Sequence, residues 1–427
     1  MLLAATRTLL RRGAARAPPP PPPLLAATRA RARALSSFAP VTGAASLTEE
    51  EAAVRDAARA FARAEVAPRV RAMDAAGAID PAVIAGLQAG GFFGLENAPE
   101  HGGAGASFMA AILVIEELAR VDASVATMVD INLTICCNIL RAHGSAAVQD
   151  FALPQLSRSV VGAFALSEAG SGSDAFALKT VAKRVGDHYE LTGSKMWISN
   201  SREAGLFIVF ANANPAAGYK GITAFLVERG APGLTIGAPE DKLGIRASSC
   251  CPLTLEGVRV PAERVVGKVG MGYKIAIEAL NEGRIGIAAQ MLGVAQGAMD
   301  LAVAYAFQRK QFGARVADFQ GVQHQIAQAA TEIEAVRALT YNAARLKMAG
   351  QPFVKEAAMA KLLSSQVAER TASRAVEWMG GMGFVKDSGV EKFYRDAKIG
   401  AIYEGTSNIQ LNTIAKLLAL DFGEKLR

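Results

Sequence analysis

The sequence predicts an α+β chain of three consecutive domains: a helical domain over residues 46–160, an antiparallel β domain over 161–272 and a helical bundle over 273–427. Three observations carry this reading. The chain has 427 residues, close to three domains of about 150 residues each. The apolar residues recur at helical spacing up to about residue 160 and at strand-like spacing after it. Beyond Gly272 the strand signals stop and long Ala-rich helical patterns take over.

In the first domain Ser46-x-x-Glu49 reads as a capping box, followed by Val54, Ala57, Ala58, Phe61 and Val66 at helical spacing. Pro68 marks a break, and Gly90-Gly91 and Gly102-Gly103 are joints between further helices. Ala110 to Leu118 reads as an amphipathic run ending near Asp122. The middle domain holds short apolar runs at 189–191, 206–210, 222–227 and 253–255, separated by Gly, Pro and Asn. The last domain holds helical patterns from Ile275 to Phe307, Val322 to Ala349, Val354 to Met379 and Ser407 to Leu420. Four helices of that length favour a bundle.

The net charge of +7 at first suggests a nucleic-acid partner, but its placement argues otherwise. Seven Arg and no acid precede Glu49; without them 39 basic residues face 39 acidic ones. The body of the chain is neutral, so no nucleic-acid partner is expected. The Arg-rich, acid-free start, with Leu, Ala and Ser between the charges, reads as a mitochondrial transit peptide over 1–35, processed near Arg33 to Ser37. The six-Pro run from Pro18 to Pro23 breaks any helix there and leaves a plain disordered tail as the alternative. No uninterrupted apolar run reaches the roughly 18 residues of a membrane span, so no transmembrane helix is expected. The four Cys form two adjacent pairs, Cys136-Cys137 and Cys250-Cys251, without metal spacing, and the four His are scattered, so no metal is expected.

The most informative stretch is Ala401 to Gln410, where Glu404 stands at a Gly break between two helical patterns. Ile402 and Tyr403 offer an apolar wall that would lift the carboxylate pKa, Gly405 lets the chain turn, and Thr406 or Ser407 can cap the next helix. Taken alone, the same pattern fits a surface Glu compensating a helix dipole.

The string Ile402-Tyr403-Glu404-Gly405-Thr406-Ser407-Asn408-Ile409-Gln410 resembles the proton-abstracting segment of the acyl-CoA dehydrogenases. Four further segments fit that family in order: Ala165 to Asp174, Lys195 to Ser199, Arg309 to Gly313 and Trp378 to Gly383. The resemblance implies the fold of that family, FAD as cofactor, and removal of an α-proton and a β-hydride from an acyl-CoA to give the trans-2-enoyl thioester. It makes Glu404 the base, with its backbone N–H and a flavin hydroxyl polarising the thioester carbonyl. Phe164, Ala165, Leu166, Ser167, Glu168, Ala169, Gly170, Ser171, Gly172 and Ser173 would line FAD, Ser173 also reaching the CoA side. Judged without the resemblance, that Gly/Ser loop is an ordinary turn. Trp197, Ile198 and Ser199 would back the flavin ring, and Arg309, Gln320, Thr406, Ser407 and Asn408 would touch the cofactor. Glu377, Trp378, Met379, Gly380 and Gly381 would contact FAD of a neighbouring subunit, which implies a homotetramer. Tyr219, Tyr273, Asn281, Glu282, Gly283 and Arg284 would meet the substrate.

Some members of the family carry their base on the helix of the Asn281 to Arg284 segment. Here Gly283 occupies that position, and Glu282 points elsewhere because neighbouring helical residues diverge by about 100°. The strings 281–293, 377–381 and 408–416 closely resemble the members specific for short and branched chains, which act on 2-methylbutyryl-CoA from isoleucine breakdown; members for straight short chains are the alternative. The implied electron acceptor is electron-transfer flavoprotein, and the implied compartment the mitochondrial matrix. A non-catalytic assembly factor on this fold would not need Glu404. An acyl-CoA oxidase, handing electrons to oxygen, is separated by peroxide release.

Overall fold

The computed structural model describes residues 46–426, so the transit-peptide reading of 1–35 lies outside the described residues. Helices run from Glu49–Phe61 through Ala146–Arg158, an eight-stranded sheet follows between Val161 and Val266, and helices return from Gly272–Ala306 to Ser407–Asp421. This is the α+β order that the sequence implies.

The first helix, Glu49–Phe61, is capped two residues later than the sequence suggested. Thr48 Oγ1 accepts from Glu51 N at 3.2 Å, and Glu51 Oε2 accepts from Thr48 N at 3.0 Å. Glu51 wins because its carboxylate is also forked by Arg345 from the last domain, at 2.6 Å to each oxygen. The run around Ala110 is not amphipathic: all twelve residues of helix Phe108–Ala119 are buried. Its two acids are satisfied there, Glu116 by Arg337 and Tyr341, Glu117 by Arg59. Helix Gly272–Ala306 crosses it at very close range. A Cβ on Gly293 would lie 2.3 Å from Glu116 O, and one on Gly297 2.3 Å from Arg120 O. Only glycine permits that backbone approach.

The sheet runs β6-β7-β3-β2-β4-β5-β8, with β1 on β4. These are β1 Val161–Ala165, β2 Val181–Val185, β3 His188–Ser199, β4 Ala204–Asn212, β5 Ile222–Glu228, β6 Leu234–Ile236, β7 Cys250–Pro261 and β8 Val265–Val266. Most pairings are antiparallel as expected, but β1 and β2 both pair with β4 in parallel, Phe164 opposite Ile208 and Val181 opposite Asn212. One sheet face packs on the helical segment Ile135 to Leu156 and on Ile275, Ala276 and Ala279 of the long helix; the other face forms its own core around Tyr189, Phe207 and Phe225. All four Cys are free thiols and buried. Two helical stretches, Ala123–His143 and Gly272–Ala306, have the length and hydropathy of membrane spans, and both are packed inside the protein.

A buried charge cluster ties the three parts together. Lys392 of helix Val390–Ala397 lies 3.0 Å from Asp122 and also binds Asp396, whose Oδ1 accepts from Ile245 N at 2.6 Å. Asp122 meanwhile caps helix Ala123–Asp130 through Val125 N at 2.9 Å. Burial alone would lower the Lys392 pKa, but the two carboxylates raise it well above the ordinary value. Removing one member of such a cluster typically costs about 3–5 kcal/mol, because the remaining charges stay buried without a partner. Lys392→Met is therefore expected to lower the unfolding free energy from denaturant titration by about 3–5 kcal/mol. An unfolding free energy within about 0.5 kcal/mol of the parent contradicts the tie.

Candidate active site

The segment between Ala401 and helix Ser407–Asp421 makes a tight turn in which Glu404 has φ +54° and Gly405 φ +83°. A left-handed conformation strains a residue with a Cβ, and it persists only when its surroundings hold it. Here Gln410 Nε2 donates to the carbonyls of Glu404 at 3.0 Å and Gly405 at 2.8 Å, and Lys361 Nζ donates to Gly405 O at 2.7 Å. Thr406 rather than Ser407 is the cap, its Oγ1 accepting from Ile409 N at 3.4 Å.

That turn aims the Glu404 side chain inward. Its Oε2 is out of contact with solvent and has no hydrogen-bond partner among the described residues. Burial pushes the Glu404 pKa up to about 7, against the opposing pull of the Lys361 and Arg284 charges. A Cβ on Gly283 would lie 2.8 Å from Oε2, so the glycine leaves the space the carboxylate fills. Behind it, Tyr403 donates to Gln290 Oε1, and Gln290 Nε2 donates to Ala123 O at 2.7 Å and Thr127 Oγ1 at 2.6 Å. Asp130, fully buried, accepts from Thr134 Oγ1 at 2.7 Å; burial, and then the nearby Glu404 charge, raise its pKa well.

Glu404 opens on a cavity of about 160 Å³ with two unlike walls. One wall is Phe164, Leu166, Ser167, Gly172, Trp197, Ile198 and Ser199; the other is Thr127, Ile131, Ile135, Leu280, Ile287 and Tyr403. The first wall is anchored from behind. Lys195 Nζ donates to Leu166 O at 3.1 Å and to Glu168 Oε1 at 2.8 Å, and Met196 N donates to Ser167 O at 2.9 Å. Burial alone would raise the Glu168 pKa, but hydrogen bonds from Lys195, Thr180 and Lys179 N–H hold it below the ordinary value. Trp197 sits at a bulge in β3 with φ +59° and is 49% exposed. A second cavity, about 260 Å³ between β5 and β7, is lined by Arg229, Arg259 and Arg264. These arginines are engaged by Ser201 O, His188 and the Phe151 ring.

Several expected positions fall elsewhere. Ile402 is 52% exposed, so it is no wall for Glu404; Ile131, Ile135 and Ile287 take that part because the segment turns Ile402 outward. Glu168 turns its carboxylate into the protein rather than to the cavity, drawn by Lys195 and Thr180. Glu282 pairs with Lys347 at 3.2 Å and accepts from Asn138, so it faces away from Glu404. Arg284 is an electrostatic partner of Glu404, with Nη1 donating to Asn281 Oδ1 at 2.9 Å. Tyr219 and Tyr273 stack edge to face at 5.1 Å, joined by Phe176 at 6.4 Å from Tyr273. Ala165 and Ser171 are buried, whereas Ala169, Gly170 and Ser173 lie on the surface. Arg309, Gln320, Glu377, Gly380, Gly381 and Asn408 are exposed and do not line the cavity, while Trp378 and Met379 are buried, Trp378 Nε1 donating to Gln325 at 2.9 Å. Among the described residues no group of three His, Cys, Asp or Glu can hold a metal ion.

Sequence reading missed Lys361, Thr127 and Asp130. Thr127, Asp130 and Thr134 recur at helical spacing inside an otherwise apolar run, a buried polar stripe visible in the sequence. Lys361 gave a weaker signal, one Lys on the small-residue face Ala357, Ala358, Ala360, Ser364.

Family models for the N-terminal, middle and C-terminal domains of acyl-CoA dehydrogenases match residues 48–159, 163–258 and 270–419. The chain belongs to the acyl-CoA dehydrogenase family. It is 54% identical over 385 residues to the mitochondrial short/branched chain specific acyl-CoA dehydrogenase of Rattus norvegicus, covering 90% of this chain and 88% of the relative. Its fold matches that of butyryl-CoA dehydrogenase from Megasphaera elsdenii with a TM-score of 0.86 at 39% identity, over 87% of this chain and 99% of the other. A glutaryl-CoA dehydrogenase from Mycobacterium smegmatis in complex with FADH2 matches with a TM-score of 0.83 at 26% identity, over 89% and 96%. The acyl-CoA dehydrogenase architecture of this chain fits a flavin on its own residues. Gly170 and Gly172 leave open space where a side chain would stand, an exposed Trp borders the cavity, and a partnerless buried carboxylate oxygen faces into it.

Because Gly283 reserves the carboxylate's place, Gly283→Ala is expected to lower kcat/KM about 10²-fold through a displacement of roughly 1 Å, with the fold retained. Activity within about threefold of the parent contradicts the packing argument.

Proposed function

We propose that the chain is an FAD-dependent acyl-CoA dehydrogenase acting on short, 2-methyl-branched acyl-CoA such as 2-methylbutyryl-CoA, with Glu404 as the base. One observation carries the assignment of the base. A carboxylate oxygen without water or hydrogen-bond partner stands between an apolar wall and a wall of flavin-binding character. Such a group is basic at neutral pH and free to take a proton from carbon.

Bound between those walls, the thioester would place its α-carbon at Glu404. The α-proton passes to the carboxylate, and the Glu404 N–H donates to the thioester carbonyl as negative charge grows there, an interaction that strengthens along the reaction. FAD, when bound, supplies the two-electron acceptor for the β-hydride. Phe164, Leu166, Ser167, Trp197, Ile198 and Ser199 would hold its ring, with the Ser167 to Ser173 loop presenting donors to it. Arg309 and Gln320 would reach its polar arm. Tyr219, Tyr273 and Arg284 would receive the thioester ligand. Arg284 and Lys361 keep the ionised base accessible, and the apolar wall excludes water that would solvate it.

The branched substrate is supported by the 54% identity to a short/branched chain specific relative, against 41–43% to short-chain specific ones. Electron-transfer flavoprotein is the proposed acceptor. A homotetramer is the proposed assembly, supported by surface apolar residues of the last domain, Phe312 at 96% and Phe384 at 84% exposure. Glu377, Gly380 and Gly381, exposed where Trp378 and Met379 turn inward, would reach a neighbour's FAD. The proposed compartment is the mitochondrial matrix, supported by the mitochondrial relative and the Arg-rich start.

Glu404→Gln is expected to retain FAD and acyl-CoA binding and to lose turnover by at least about 10²-fold, the usual worth of a general base. Near-normal turnover with FAD content confirmed removes Glu404 from the role. Because only the carboxylate form accepts the proton, kcat/KM should rise with pH through about 7 and level off above it. On a panel of 2-methylbutyryl-, isobutyryl-, butyryl- and octanoyl-CoA, the 2-methyl-branched substrate should be used at least as well as butyryl-CoA. A methyl group is worth about 1–3 kcal/mol of discrimination, so a tenfold preference for butyryl-CoA would overturn the branched assignment.

A further inference from the structure

Lys361 presents a charge where the fold pays dearly for one. Its side chain is 0% exposed on helix Val354–Met379, among Ala357, Ala358, Ala360 and Ser364. A lysine so placed shifts its pKa or finds compensation. Among the described residues it makes no ion pair within 4 Å; its hydrogen bond goes to the Gly405 carbonyl at 2.7 Å, in the turn that carries Glu404. Its own helical turn is fastened to the same region. Ser365 Oγ lies 2.7 Å from Lys361 O and 2.8 Å from Gly400 O, its single proton shared between the two carbonyls, and Gly400 stands four residues before the base.

The charges around the pair are few and come from every side. Glu404 faces Lys361 from helix Val354–Met379, Arg284 from helix Gly272–Ala306 and Asp130 from helix Ala123–Asp130, with Tyr403 beside it in the chain. Lys361 in turn faces Glu404 and Arg284. Burial takes the ammonium down to about 8, Glu404 opposes this as the one group among the described residues that holds it up, and Arg284 repels it. The geometry and the countercharge therefore meet at a single place.

We propose that Lys361 is a positioning residue for Glu404: its buried ammonium clamps the Gly405 carbonyl and supplies the positive charge against which the neighbouring carboxylate ionises. The inference rests on the reading of Glu404 as the base. It differs from a mere plug for the Gly405 carbonyl, because a neutral donor at 361 would serve a plug equally well. Tyr403 stays neutral near pH 7, its pKa raised by burial. Asp130 and Arg284 remain in place in any Lys361 variant, so a change in Glu404 titration reports the ammonium.

The test compares the FAD-loaded parent with Lys361→Gln and Lys361→Met, and uses Glu404→Gln as reference. The ionisation of Glu404 is read without turnover from its carboxyl stretching band in ¹³C-glutamate-labelled protein, identified as the band absent from Glu404→Gln. The kcat/KM pH profile is recorded alongside. Both Lys361 variants should move the Glu404 midpoint upward by about one pH unit, a tenfold change in its ionisation constant. The acid limb of kcat/KM should follow, with activity recovering as pH rises. Lys361→Gln, which keeps a donor for Gly405, should shift as Lys361→Met does. Should the Met variant fail to fold, the Gln variant decides alone. A midpoint unchanged in Lys361→Gln overturns the proposal, as does activity lost evenly at all pH values. Full turnover in Glu404→Gln instead strikes the base assignment, and the band titration still reports Lys361 separately.

Discussion

The carboxylate of Glu404, withdrawn from water and held in a left-handed turn, is the constraint around which this molecule is arranged. In water a glutamate at neutral pH is ionised, strongly hydrated and weakly basic. Burial removes the hydration and raises the pKa to about 7, while Lys361 and Arg284 keep the ionised form within reach. The balance between these opposing effects leaves a carboxylate that is partly ionised at neutral pH, the condition that the base role proposed for it requires. Without the cations the group would ionise only at higher pH; without the apolar wall it would be an ordinary surface acid.

Each part of the fold contributes one side of that balance. The first helical part supplies Thr127, Ile131 and Ile135 to the wall and Asp130 behind it. The sheet supplies the opposite wall, stiffened by the buried pair of Lys195 and Glu168. The last part supplies Glu404, Lys361 and, by way of Gly283, the space the carboxylate occupies. Precise placement across three parts of a chain requires that they not slide. The Lys392 cluster, reaching Asp122, Asp396 and the Ile245 amide, and the fork of Arg345 on Glu51 hold them in register.

Much of this was legible in the sequence, for physical reasons. The change from helical to strand spacing near residue 160 reflects which faces must be buried, and the observed helix Val354–Met379 has the bounds read from the pattern. Glu404 was legible through the five family-like segments taken together, since its glycine, cap residues and apolar neighbours alone fit a surface Glu equally well. The inward direction of Glu168 and the outward turn of Ile402 were not, since they depend on partners distant in sequence: Lys195 and Thr180 in one case, the path of the turn in the other. Thr48 displaced Ser46 as the cap because Glu51 is drawn by Arg345, a residue 294 positions away. Lys361 escaped notice because a lysine in a helix reads as surface until the fold shows what covers it.

The step proposed for Glu404 is removal of a proton from the α-carbon. It is tested most directly by deuterium uptake at that carbon in heavy water, using 3,3-dimethylbutyryl-CoA, which has no β-hydrogen to transfer and so isolates the proton step. The parent protein should incorporate deuterium at a rate that rises with pH through about 7, and Glu404→Gln should exchange at least about 10²-fold more slowly. Exchange by Glu404→Gln at the parent rate, with the thioester shown to be bound, would contradict the account.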